Sequence, residues 1–351
     1  MSAGARTPTL GDVAALAGVT VPTVSKVLNA RSDVSPATRE RVLAALQRTG
    51  YAKPPRGRRG TTAAAGARTQ PGLVDLVLGS VEGSWGNRVL GGVERAAAEL
   101  GHDVVVTLAD PDTADGRSWV DRLLARGSTG AVLALVDASA QQRARLADGG
   151  VPVVLLDPRS EPGPGVASVG ATNWAGGRAA GEHLVALGHR DIGVVAGPPQ
   201  QVYSTARVDG LRSALTEAGL VLAPERVRSG DWTSEGGQRA AAELLGSRPA
   251  PTAVFACSDR MALGVYAEAA ARGLRIPEDL AVVGFDDLPE ARWLVPTLTT
   301  VRQPVREMGA VALRTLLRLR AGGAPETTRL ELATSLVVRA SAPAVPRPEV
   351  K

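Results

Sequence analysis

Between residues 9 and 51 the apolar positions recur at helical spacing in three short runs; from residue 72 the pattern changes to short continuous apolar runs alternating with longer amphipathic ones. The first run opens at Thr9, with Asp12 three residues later completing a T-x-x-D capping box, and Val13, Ala14 and Leu16 or Ala17 forming its apolar face. Gly18 breaks it. Thr20 is placed to cap a second helix over 21–29, whose first turn tolerates Pro22 because the N–H there would be unpaired anyway. That helix buries Val24, Val27 and Leu28 and leaves Val21, Pro22, Thr23, Ser25, Lys26 and Asn29 facing outward. Ser35-Pro36 starts a third helix with Val42 and Leu46 on its inner side, and Gly50 stops it. A helix, a glycine turn, a second helix with an exposed leading end and a supporting helix form the pattern of a helix-turn-helix that enters the DNA major groove.

Beyond residue 72 the candidate strands are Leu73–Leu78, Val104–Leu108, Ala131–Leu135, Val153–Leu156, Ile192–Ala196, Ala253–Ala256 and Leu280–Phe285. Helical stretches lie between them, among them 89–100, 175–187, 208–218, 234–245, 261–272 and 305–319. Continuous apolar strands separated by helices imply parallel βαβ units covered on both faces. So many strands exceed one sheet of this length and favour two sheets with a cleft between them. The turn after the first strand, GSVEGSWGNRV, lacks G-x-G-x-x-G spacing, and neither a G-x-S-x-G elbow nor a P-loop occurs. No enzyme signature emerges.

Charge separates a DNA reader from a helical cap of a larger domain. Residues 1–70 hold 11 Lys and Arg against 3 Asp and Glu, whereas the remaining chain holds 29 basic and 32 acidic residues. The whole basic surplus therefore sits on the first segment and its tail, as phosphate contact requires and a packing cap does not. At 351 residues the chain suggests two or three domains. The single Cys257 excludes an intrachain disulfide and a multi-cysteine metal site, and the three histidines show no zinc-hydrolase spacing. His183 and His189 read as helix-end packing. No metal or cofactor is implied. Without an 18-residue uncharged apolar run or an apolar leader, the expectation is a cytoplasmic protein with no membrane partner.

Ligands of open parallel sheets sit at the carboxyl ends of strands. Aromatics make up only 3% of the chain, yet Trp85 follows the first core strand, and Trp174, Tyr203, Trp232 and Trp293 fall in or beside later connections. Indole faces stack on the C–H faces of sugar rings while carboxylates, amides and guanidinium groups bind hydroxyls, so a sugar suits this mixture. Each tryptophan could equally be a loop anchor or core filler.

The stretch TLGDVAALAGVTVPTVSKVLN followed by SDVSPATRERVLAALQRTGY resembles the DNA-binding headpiece of the lactose repressor/galactose repressor (LacI/GalR) family, and pieces of the match recur to about residue 340. The resemblance implies a core like that of periplasmic sugar-binding proteins, two α/β subdomains joined by three crossings near 172–175, 300–303 and 325–330. A last strand over Leu330–Arg339 then returns to the second subdomain. By the same resemblance Arg207 in STARVDG is a cleft arginine that grips ligand hydroxyls, and Asp286 in VGFDD and Asp157 ending VVLLD do likewise. Trp232 in GDW is a stacking tryptophan, Ser258-Asp259 a polar pair at the lip of the second subdomain, and Gln303 a polar residue at a crossing. Asp259 is equally placed to cap the helix near Met261, and Asp287 reads as structural.

Residues 52–71, AKPPRGRRGTTAAAGARTQP, depart from the family's hinge helix. Pro54, Pro55, Gly57 and Gly60 interrupt it, and no Leu, Ile, Met or Phe is present as a minor-groove wedge. The basic run, including Arg56 and Arg58, can still track phosphates. The tail after residue 340 is proline-rich and has no leucine heptads.

The sequence therefore gives an α helix-turn-helix headpiece (1–55), a basic linker (56–71) and an α/β core of two doubly wound parallel-sheet subdomains of periplasmic-binding-protein type. The first subdomain comprises 72–173 plus 303–327, the second 174–302 plus 328–340, followed by a tail over 341–351. The expected function is that of a repressor binding a double-stranded operator as a homodimer, with a sugar or oligosaccharide effector in the cleft. Lys26, Val21 and Pro22 are expected to read base edges, and Thr9, Thr20, Thr23, Ser25, Asn29 and Arg39 to position on phosphate. Segments such as ATNWAGG and GFDDLPEARW resemble family members that sense β-linked plant-wall sugars. The interrupted hinge supports a second reading, a sugar receptor without specific DNA readout.

Overall fold

A computed structural model describes residues 9–28, 34–49, 72–109, 118–323 and 327–343. The chain divides into two compact units, residues 1–68 and 69–351. Asn29, Gly50, Arg56, Arg58, the linker over 52–71 and the end of the tail lie outside the described residues.

The first unit holds α1 (Leu10–Ala17), α2 (Val21–Leu28) and α3 (Pro36–Thr49). The Thr9 N–H donates to the Asp12 carboxylate at 2.7 Å and the Asp12 N–H donates back to Thr9 Oγ1 at 3.3 Å, closing the capping box. Gly18 ends α1 at φ +65°, a left-handed conformation in which a side chain would be strained. The chain axis then turns by 96° into α2, within the range of helix-turn-helix pairs. Ser35 caps α3 by accepting the Thr38 N–H at 3.3 Å. Val13, Ala14, Ala17, Val24, Val27, Val42 and Ala45 form the core, with Leu46 packed against it. Of the pair Leu16 and Ala17, only Ala17 is buried, while Leu16 faces outward.

The second unit contains two six-stranded sheets. The first comprises β1 (Gly72–Leu78), β2 (His102–Leu108), β3 (Gly130–Ala134), β4 (Val153–Leu156), β5 (Ser168–Ala171) and β11 (Arg329–Leu332), in the order β11-β5-β4-β3-β1-β2. The second comprises β6 (Ile192–Ala196), β7 (Val227–Ser229), β8 (Ala253–Ala256), β9 (Ala281–Asp286), β10 (Thr299–Arg302) and β12 (Ser335–Val337), in the order β12-β10-β9-β8-β6-β7. All pairings are parallel except that of β10 with β12. The helices are α4 (Ser84–Glu99), α5 (Trp119–Arg126), α6 (Ala140–Asp148) and α11 (Val305–Arg320) on the first sheet, and α7 (Asn173–Ala186), α8 (Val202–Glu217), α9 (Ser234–Gly246) and α10 (Asp259–Ala271) on the second. Buried runs such as Val132–Ala134 and Val254–Ala256 are apolar throughout because helices cover both faces of each sheet.

The third crossing differs from expectation. The run Leu330–Arg339 is not one strand of the second subdomain. Its first part, β11, pairs with β5 in the first sheet, and only β12 reaches the second. The chain therefore crosses at 333–334, where Thr334 N donates to Thr172 Oγ1 at 2.9 Å and Thr172 N donates to Leu332 O at 2.9 Å. Two crossing segments satisfy each other's backbone, which a pattern of apolar positions does not register.

α7 and α8 approach so closely that a Cβ on Gly177 would run into the Arg207 carbonyl, and one on Gly210 into that of Trp174. Gly177→Ala is expected to lower unfolding stability by about 1–3 kcal/mol, read by urea denaturation. Gly91→Ala in α4, where nothing lies within 4 Å of the new methyl group, is expected to leave stability unchanged or raise it slightly.

Candidate functional site

The close packing of α7 on α8 delivers Arg207, from the second turn of α8, to the centre of a cavity of about 340 Å³ between the two sheets. Arg207 is 3% exposed. Its Nε donates to Asn173 Oδ1 at 2.8 Å and its Nη1 to the Cys257 carbonyl at 2.6 Å, with Asp286 Oδ1 at 3.6 Å from the same nitrogen. The guanidinium carbon lies 3.8 Å from the Phe285 ring centroid. A charge this buried is tolerated because it is paired, hydrogen-bonded and stacked.

Two carboxylates accompany it. Asp157, following β4, and Asp286, ending β9, are both buried. Burial pushes the Asp157 carboxyl above its ordinary value, partly offset by the Arg207 charge. The same cause pushes Asp286 up to about 7, although Arg207 and a 2.6 Å hydrogen bond from Gln303 Nε2 oppose it. Tyr203 and Trp232 form the aromatic wall, with ring centroids 5.4 Å apart. The Trp232 indole N–H donates to Gln201 Oε1 at 2.7 Å. Trp232 has φ +68°, and its ring lies on Gly197, where any side chain would strike it.

Leu135, Asp157, Trp232 and Asp286 all have positive φ, and all four line the cavity. Each sits at or just after the carboxyl end of a strand or in the loop beyond it, where the chain bends out of the sheet toward the cleft. Concentration of such backbone around one cavity marks a site held in a specific shape.

The remaining sequence candidates divide. Trp85, at the start of α4, and Ser258 line the cavity, and Ser258 also caps α10 by accepting the Met261 N–H at 3.1 Å. Gln303 is buried behind Asp286. Asp259 also lies behind the wall, accepting the Leu288 N–H at 2.7 Å and the Thr300 hydroxyl at 2.5 Å. Burial holds its carboxyl well above the ordinary range. Trp174 lines a neighbouring cavity, and Trp293 is 74% exposed and lines neither. A tryptophan in a connection can face either way, and spacing does not say which. Residue pattern does not single out Asn173, Gln201, Arg260 and Phe285, though Asn173, the first residue of α7, and Gln201, just before α8, are polar residues at strand-to-helix junctions. Asp287 binds Arg302 Nε at 2.7 Å and also pairs with Arg339, a structural role. Across the cleft, Arg88 Nη1 donates to the Asp287 carbonyl at 2.6 Å and Ser84 donates to Glu290, joining α4 to the second lobe.

In the first unit, Val21, Pro22 and Lys26 present the exposed leading side of α2, with Thr9 and Thr20 exposed and Thr23, Ser25 and Arg39 half-buried. Thr20 and Thr23 hydroxyls lie 3.0 Å apart, fixing the first turn. This surface and a two-lobed core with a polar, aromatic-walled cavity define a class: DNA-binding transcriptional regulators carrying a small-molecule receptor core.

Residues 9–53 match the model of bacterial regulatory proteins of the lacI family, and residues 182–342 match a periplasmic binding protein-like domain. The chain is 38% identical over 349 residues to the HTH-type transcriptional regulator CelR of Thermobifida fusca, covering 96% of this chain and 98% of that protein. A solved complex of the regulator CelR with cellobiose superposes with a TM-score of 0.69 at 34% identity, covering 95% of this chain and 99% of that one. The Lac repressor dimer bound to operator and the anti-inducer ONPF gives 0.68 at 30% identity, covering 97% and 100%. The chain belongs to the lacI family. It is a DNA-binding transcriptional regulator. Among the described residues no single helix is long and apolar enough to cross a membrane.

The raised Asp286 carboxyl sets a pH dependence. Between the ordinary carboxyl value near 4 and about 7, the folded state holds a proton that the unfolded state has lost, so this group's contribution to stability falls as pH rises through that window. Asp286→Asn is expected to flatten the stability profile between pH 4 and 7 relative to wild type, read by urea denaturation at several pH values. Parallel profiles would refute the assignment.

Proposed function

We propose that this protein represses transcription by binding a roughly palindromic operator as a homodimer, and that a sugar or short oligosaccharide in the cavity between the lobes lowers operator affinity. The observation that carries the reading is the lining of that cavity: one buried guanidinium, two buried carboxyl groups and an aromatic wall of Tyr203 and Trp232. Hydroxyls of a pyranose pair with the first three groups, and its C–H face rests on the fourth. The solved CelR relative, which holds cellobiose, supports a β-linked disaccharide as the first effector to test.

In the headpiece, Val21, Pro22 and Lys26 are assigned to base edges, and Thr9, Thr20, Thr23, Ser25 and Arg39 to phosphate contacts. A single headpiece reads only a half-site, so specific binding calls for two copies, in line with the operator-bound Lac repressor dimer. The effector acts only through unequal affinity for two forms of the protein, so lobe closure around the sugar must disfavour the operator-bound form. The basic composition of 52–71, with its prolines and glycines, supports a rival reading in which the protein is a sugar receptor that holds DNA without sequence preference.

The test is a fluorescence-anisotropy titration of the full chain against DNA from its own upstream region and against scrambled DNA, with and without cellobiose, xylobiose and their monomers. Site-preferring binding relieved by one sugar is the expected result. Binding indifferent to sequence would refute specific repression and favour the receptor reading. Lys26→Ala is expected to lower affinity for the preferred site by about tenfold or more while sparing sugar binding.

A further inference from the structure

A second cavity of about 310 Å³ adjoins the first on the side where the chain crosses between lobes. Asp157 and Tyr203 line both, so the two spaces meet at one partition. Its walls come from the β4–β5 connection, strand β5 and the edge strand β11 on the first lobe, and from the N-terminal turns of α7 and α8 on the second. Closure of the lobes would therefore grip anything held there as well as in the first cavity.

We propose that this space is a second sugar subsite, so that the physiological effector is an oligosaccharide longer than a disaccharide that passes Asp157 and Tyr203 from one cavity into the other. The proposal rests on the reading of the first cavity as a sugar site. Trp174, in the first turn of α7, is 45% exposed and lines the second cavity. Arg178, one turn further along, lies 5.9 Å from the Trp174 ring and helps to fix it. An indole left half in water beside a polar cavity is a platform suited to the C–H face of a pyranose.

Charge narrows the ligand further. Glu161, Glu331 and Asp157 contribute three carboxyl groups to the lining, against one guanidinium, Arg329. Arg329 is already engaged, 3.2 Å from Glu161 and 2.9 Å from Glu331. A phosphate or other anion would meet excess negative charge and no uncommitted cation in this lining. A neutral polyhydroxyl chain instead offers hydroxyl donors to the carboxylates. Gly170, Ala171 and Ala206 keep the floor low enough to admit a ring.

Isothermal titration of the full chain with cellobiose, cellotetraose, xylobiose and xylotetraose tests the proposal. In the series that binds, the tetrasaccharide is expected to bind about tenfold tighter than the disaccharide. Trp174→Ala, and separately Ala206→Leu to fill the floor, should remove that advantage and leave disaccharide affinity unaltered. Both positions are partly exposed, and circular dichroism of each variant checks the fold. Equal wild-type affinity for the two lengths, or equal weakening of both by Trp174→Ala, overturns the subsite while the first-cavity reading stands. Binding of neither length in either series removes both.

Discussion

The ligand-binding core depends on one buried guanidinium. Arg207 draws its partners from three directions: Asn173 at the start of α7, the Cys257 carbonyl after β8 and Asp286 at the end of β9, with the Phe285 ring beneath it. Burying that charge without partners would cost several kcal/mol, so the elements that supply them must stay in register. Gly177 and Gly210 allow this by letting α7 and α8 touch backbone to backbone. The same contacts leave Asp157 and Asp286 beside the guanidinium in a cavity that still has room for a ligand.

Arg207 also stands next to the segments that join the two lobes. Gln303, which binds Asp286, lies where the second crossing leaves β10, and Asn173 follows Thr172, whose backbone and hydroxyl are bonded to the third crossing. On the open side of the cleft, α4 reaches across through Ser84 and Arg88. A ligand that pairs with Arg207, Asp157 and Asp286 therefore touches both lobes near their connections.

Much of this was legible in sequence where local chemistry repeats a rule. The T-x-x-D box at Thr9, the glycine at position 18 and the Ser35-Pro36 start fix the helices of the headpiece, because caps and positive φ are decided within a few residues. Parallel strands appeared as continuous apolar runs because both faces are covered. Short strands of mixed composition did not: β5 (SVGA) and β7 (VRS) lack the continuous apolar run that marked the equally short β4 and β8, and they are strands through pairing with their neighbours. The same limit hid the division of 330–339 between two sheets.

The candidate site shows the boundary most clearly. The family resemblance of STARVDG, VVLLD, VGFDD and GDW pointed to Arg207, Asp157, Asp286 and Trp232, while residue pattern alone offered only aromatic and polar residues near the carboxyl ends of strands. Sequence alone determined the basic character of the first segment and the two-sheet organisation of the rest. The tertiary structure decided which tryptophans share a cavity, turning Trp174 into a neighbouring space and Trp293 out to solvent. It likewise put Asp259 and Gln303 behind the wall and brought Gln201 and Asn173 into the site. The physical reason is that residue type and spacing set what a side chain can bind, whereas the direction it points depends on backbone bends and packing between segments far apart in the chain.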